Sequence, residues 1–137
     1  MYHHMRFTVG DHSARHVRRI LRIHLLQWEM TELRDAAELA VTELLSNVVR
    51  HVPSRQCTLD MFRIENGLRV EVSDPDPRMP KVRKAAELEN GGRGLLLVDA
   101  VTDRWGLLPS PPGKTVWFEF DAKAACAPPF VTSALPQ

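Results

Sequence analysis

The chain has 137 residues, 44% of them hydrophobic and 26% charged, with a formal net charge of +1. That length holds one domain able to bury a core without disulfide or metal staples, and the near-neutral balance gives no bulk electrostatic argument for a nucleic-acid partner. No window approaches the roughly 20 apolar residues of a membrane span, and the start "MYHHMRFTVG" lacks the apolar stretch of a signal sequence, so a cytoplasmic protein without a membrane partner is expected.

Residues 6–9, "RFTV", alternate and close at Gly10, as an edge strand does. Asp11 and Ser13 offer N-cap side chains to a helix of about 15 residues whose apolar face carries Val17, Ile20, Leu21, His24, Leu25 and Trp28. Its other face carries Arg15, Arg18, Arg19 and Arg22, which is either a solvated face or a grip for phosphates. Thr31, with Glu32 in the first turn, caps a second helix that runs to about Arg50 and stops before Pro53.

"CTLDMFRI" and "LRVEVSD" alternate on either side of Asn66-Gly67, which predicts an antiparallel hairpin. Residues 75–91 read as a long surface loop with a helical turn at "KAAELE". "GGRGLLLVDAV" sets glycines directly ahead of a helix, and "RWGLLPSPPGKTVWFEF" predicts two strands around a Pro-Gly turn. Residues 122–137 are rich in Ala and Pro and read as a disordered tail behind a domain of residues 1–121. Cys57 and Cys126 form neither a disulfide framework nor a zinc pattern, and the His3-His4 pair lacks further ligands at metal spacing.

The second helix carries the feature that needs an explanation. At about 100° per residue, steps of four advance a side chain by about 40°, so Glu43, Asn47 and His51 form a slowly turning stripe. Ala37, Ala40, Val41, Leu44 and Val48 centre roughly 80° away, which leaves the stripe half-buried at the border of the core. An unsatisfied polar group there costs about 1–3 kcal/mol. Its partners are either neighbouring loops or a ligand. Asp74 ends an alternating strand, where it caps a turn before Pro75 or accepts a hydrogen bond from an exocyclic amine such as that of adenine. The glycines of "GGRGLL" let a ligand approach the backbone, and the first turn of the helix behind them favours phosphate.

In this order, a helix with Glu and Asn, a strand-borne Asp, a long loop, glycines before a helix and "GKT" before the last strand, the chain resembles the ATP-binding domain of the GHKL superfamily over about residues 6–121. "ELAVTELLSNVVRH" and "GRGLLLVDAVTDRWG" look closest to its bacterial anti-sigma-factor serine kinase branch. The resemblance implies an α+β fold, a two-layer α/β sandwich of the Bergerat type with a mixed, mostly antiparallel sheet and helices on one face. It implies ATP and Mg²⁺ as ligands, with Glu43 orienting or deprotonating the nucleophile, Asn47 binding Mg²⁺, His51 near the phosphates and Asp74 holding the adenine amine. Gly92, Gly94 and Leu95 match the glycine motif that closes the nucleotide lid. Arg93 between them reaches a terminal phosphate or stands in solvent. Thr115 matches a threonine near the nucleotide, though a β-branched residue entering a strand needs no such reason; Lys114 has no assigned role.

One departure stands out. Where the family has Asp-x-Gly-x-Gly, this chain reads Asp74-Pro75-Asp76-Pro77-Arg78, and proline fixes φ and removes an N–H. The function implied is an ATP-binding anti-sigma regulatory factor that captures a sigma factor and phosphorylates a serine or threonine of an anti-anti-sigma partner. Homodimerisation is a further family expectation, and residues 6–28 are the surface expected to carry it. The alternative is a non-catalytic, ATP-dependent protein-binding module of a partner-switching system. A detached histidine kinase catalytic domain and DNA binding through the arginine face fit the sequence less well.

Overall fold

The computed structural model describes residues 2–78 and 94–122. The expected helical turn at "KAAELE", Gly92, Arg93 and nearly all of the expected tail lie outside the described residues. In chain order the elements are β1 (Tyr2–Thr8), α1 (Ser13–Gln27), a 3-10 turn (Thr31–Leu33), α2 (Arg34–His51), β2 (Gln56–Ile64), β3 (Gly67–Asp74), α3 (Gly94–Val101), β4 (Arg104–Ser110) and β5 (Gly113–Asp121). The sheet order is β1-β2-β3-β5-β4. Every pairing among the described residues is antiparallel, so the sheet expected to be mixed holds no parallel pair there.

Alternation sorts the sheet into two faces. Cys57, Leu59 and Met61 of β2, Leu68, Val70 and Val72 of β3, and Val116, Phe118 and Phe120 of β5 are buried in one core with Val17, Leu21 and Leu25 of α1 and Ala37, Ala40, Val41, Leu44, Leu45 and Val48 of α2. Each fully buried Leu, Val or Phe contributes about 1.5–3 kcal/mol. The small residues Ala37 and Ala40 let α2 lie close to its neighbours. The other face of the sheet is polar: Arg69 bonds Glu71 and Glu119, Arg104 bonds Glu119 and Asp121, and the Arg69 guanidinium stacks 4.3 Å from the Trp117 ring centroid. The helices therefore lie on one face, as expected.

Three boundaries differ from the sequence reading, each for a local reason. β1 begins at Tyr2 rather than near residue 6, because Tyr2 and His4 find partners across the strand pair, the Tyr2 hydroxyl donating to Asp60 Oδ1 at 2.7 Å. Ser13 does not cap α1; its hydroxyl accepts the Gly10 N–H at 2.8 Å, and the cap position is His12. Thr31 opens the 3-10 turn instead of capping α2, which starts at Arg34 behind the buried Leu33.

The arginine face of α1 is largely spoken for. Arg22 donates to both oxygens of Glu38 at 2.6 and 3.0 Å and Arg18 donates to the Thr42 hydroxyl at 3.2 Å, so these two side chains tie α1 to α2. The Arg22 hydrogen bond, aided by Arg34, holds the Glu38 carboxyl below its usual range against the effect of burial.

Candidate functional site

The far end of α2, the end of β3 and the start of β5 enclose a cavity of about 130 Å³. Leu44, Val48, Val52, Val72 and Val116 give it apolar walls, and Asn47, His51, Asp74, Arg78 and Lys114 give it polar ones. Whole small-molecule ligands occupy pockets of about 300–1,000 Å³, so this space suits a flat heterocycle rather than a complete nucleotide. The structure thus brings together three of the expected residues, Asn47, His51 and Asp74.

Glu43 lies one turn before Asn47 on α2, half-buried. Both face the start of α3. A Cβ built on Gly94 would stand 3.0 Å from Asn47 Oδ1 and 3.4 Å from Glu43 Oε1, so any larger residue there would press on the two side chains, and glycine lets α3 begin this close without that. Leu95 is buried in the core and does not line the cavity. Gly92 and Arg93 lie outside the described residues.

Among the described residues, Asn47 Nδ2 is the buried side-chain nitrogen or oxygen with no hydrogen-bond partner. A buried donor left unpaired by the described residues marks a place where a ligand can supply the acceptor. The amide of Asn47 therefore fits a magnesium nucleotide: its oxygen suits a hard cation that takes few protein ligands and bridges phosphates, and its nitrogen is a donor awaiting an acceptor.

At the base of the cavity Lys114 and Asp74 form an ion pair at 3.0 Å, each side chain only 5% exposed. Lys114 also donates to the Asp76 carbonyl at 2.8 Å, and the Asp76 N–H donates to Asp74 Oδ1 at 2.8 Å. Arg78 chelates the Asp76 carboxylate and reaches the His51 carbonyl at 3.0 Å. The Arg78 side-chain hydrogen bond is the main reason that the Asp76 carboxyl lies far below its ordinary range. The segment that lacks both glycines is therefore fixed by two prolines and by charged side chains fastened to α2 and β5.

Lys114 carried no role in the sequence reading, yet the signal was present. With Val116, Phe118 and Phe120 inward on β5, the alternation places Lys114 inward and Thr115 outward. Thr115 accordingly is not brought to the cavity: its hydroxyl pairs with that of Ser73 at 2.7 Å on the opposite face. A larger groove, about 560 Å³, is lined by Asp74 but by neither Glu43 nor Asn47.

Residues 7–120 match the family model of the histidine kinase-like ATPase domain. The chain belongs to that family. This histidine kinase-like ATPase domain is also similar to the uncharacterized protein SCO4941 of Streptomyces coelicolor, 38% identical over 71 residues that make up 49% of this chain and 68% of that protein. In fold it is similar to the crystal structure of the RsbU and RsbW domains of Rv1364c from Mycobacterium tuberculosis, with a TM-score of 0.66 and 18% identity over 95% of this chain. The chain spans 35% of the length of that structure's chain. Among the described residues, no helix is long and apolar enough to cross a membrane.

Proposed function

We propose that this domain binds Mg-ATP between α2, α3 and the ends of β3 and β5, and transfers the γ-phosphoryl group to a serine or threonine of an anti-anti-sigma partner, as the anti-sigma regulatory factor of a cytoplasmic partner-switching system. The observation that carries the reading is the amide nitrogen of Asn47, unpartnered among the described residues, on a side chain that faces the Gly94 backbone beside Glu43 and lines the same cavity as Asp74. The fold likeness to a chain with RsbU and RsbW domains supports the anti-sigma branch of the reading. Capture of a sigma factor, pairing of two copies through residues 6–28 and the division into a domain of residues 1–121 and a tail belong to the same proposal, which includes no nucleic acid.

Both hydrogen bonds that Asp74 accepts from described residues fall on Oδ1, which leaves Oδ2 for the adenine amine. Asn47 would hold Mg²⁺ through its carbonyl oxygen, and the ion would supply charge neutralisation for the transferring phosphoryl group. His51 forms the rim near the phosphates, and Gly94 brings the first turn of α3 up to Asn47 and Glu43. Glu43 accepts the proton of the incoming hydroxyl as its oxygen bonds to the γ-phosphorus and the bond to ADP breaks.

Glu43→Ala is expected to lower phosphoryl transfer by roughly a hundredfold or more while Mg-ATP still binds. Radiolabel transfer to a cognate anti-anti-sigma protein, read beside calorimetric ATP titration, checks this; unaltered transfer by the variant removes Glu43 from the chemistry. The prolines at 75 and 77 favour a second reading, a non-catalytic module in which ATP only orders a partner-binding surface. Wild-type protein that binds Mg-ATP and transfers no label selects it.

A further inference from the structure

An ammonium group has three donors and no acceptor. Lys114 directs two of them into its own chain, to Asp74 Oδ1 and to the Asp76 carbonyl. The third has no acceptor among the described residues, although the side chain is 5% exposed and lines the cavity. A buried ammonium with an open donor is costly in a folded chain, and what fills the cavity is what can relieve it.

We infer that Lys114 is a base-recognition residue: with Asp74 it reads a base edge on which an exocyclic amine sits beside a ring-nitrogen acceptor. The carboxylate accepts from the amine while the ammonium donates its third N–H to the neighbouring ring nitrogen. This inference rests on the proposal that the base of ATP enters this cavity. Adenine meets the requirement twice, because both N1 and N7 flank its amine. The apolar walls from Leu44, Val72 and Val116 match the faces of such a ring. Lys114 also supplies what the missing glycines would otherwise have governed, since the same ammonium that faces the base fixes the carbonyl of Asp76. A lysine that only braced residues 75–78 would be indifferent to the identity of a ring nitrogen. A lysine that plugged the site would oppose binding.

Calorimetric titrations of the full chain with Mg²⁺ and ATP, 1-deaza-ATP or 7-deaza-ATP distinguish these roles, on wild type, Lys114→Met and Lys114→Gln. Wild type is expected to lose roughly tenfold or more in affinity for one of the two analogues and to tolerate the other, as the loss of a hydrogen bond to a charged group predicts. Lys114→Met is expected to bind ATP and that analogue equally, both about as weakly as wild type binds the analogue. Lys114→Gln, which keeps a donor, is expected to regain part of the discrimination, and it serves alone with wild type if the methionine variant does not fold. Equal binding of all three nucleotides by wild type, unchanged discrimination in the variants, or tighter ATP binding by Lys114→Met would each overturn the role of Lys114. Wild-type protein that binds no Mg-ATP would instead overturn the nucleotide reading, and this inference with it.

Discussion

A side-chain amide buried without a partner costs a folded chain about 1–3 kcal/mol, and Asn47 Nδ2 is such a group among the described residues. Stability alone would replace it with an apolar side chain of similar shape, since Leu44 and Val48 beside it are already core residues. The chain keeps an amide where a leucine would pack better, which is the pattern of a functional residue that lowers stability. Asn47→Leu is therefore expected to raise the thermal midpoint by a few degrees while abolishing Mg-dependent nucleotide binding. Differential scanning fluorimetry with and without Mg-ATP measures both effects. A lower midpoint in the absence of ligand would show that the amide stabilises the folded chain and would remove the argument for a functional cost.

Glu119 of β5 accepts from Arg69 of β3 at 2.6 Å and from Arg104 of β4 at 2.9 Å, joining three strands on the open face of the sheet. Burial tends to raise its pKa, but the two guanidinium hydrogen bonds outweigh that and hold it below the ordinary 4.5. A carboxyl depressed in the folded state contributes stability above its unfolded pKa, and that contribution is lost as pH falls through the folded value. Urea midpoints measured between pH 6 and pH 3 should fall less steeply for Glu119→Gln than for wild type; parallel curves would show that the pairs are fully screened. This network was not legible in the sequence, because β3 pairs with β5 rather than with the next strand in the chain, and only the fold makes Arg69, Glu119 and Arg104 neighbours. The elements themselves were legible where periodicity is strong: α2 with its polar stripe, the hairpin at Asn66-Gly67 and the two-faced β5. What failed was local. Thr31 read as a cap because hydroxyls commonly cap, and the alternation of β5, which turns Lys114 inward, turns Thr115 outward to Ser73.

Whether the sheet, its helices and the nucleotide site act as one cooperative unit can be read from Cys57. Its thiol is 3% exposed and pairs in register with Phe7 of the edge strand β1. Burial, and after it the charge of Asp74, pushes the thiol up to about 12, so at pH 8 almost none of it is thiolate in the folded chain. Alkylation then requires an opening, and when reclosing is fast its rate follows the population of the open state. If that opening is global unfolding, Mg-ATP at about 100 times its Kd stabilises the closed state by about 2.7 kcal/mol and slows the reaction about a hundredfold. If β1 merely peels from β2, the cavity stays intact, because none of its lining residues belongs to β1 or β2, and nucleotide leaves the rate unchanged. Because β1 pairs with β2 along seven residues and Val9 beyond it is buried in the common core, the expected outcome is protection close to the full linkage value. Peptide-resolved mass spectrometry, which reads Cys57 separately from Cys126, measures it, and a rate indifferent to nucleotide would place β1 outside the cooperative unit that holds the site.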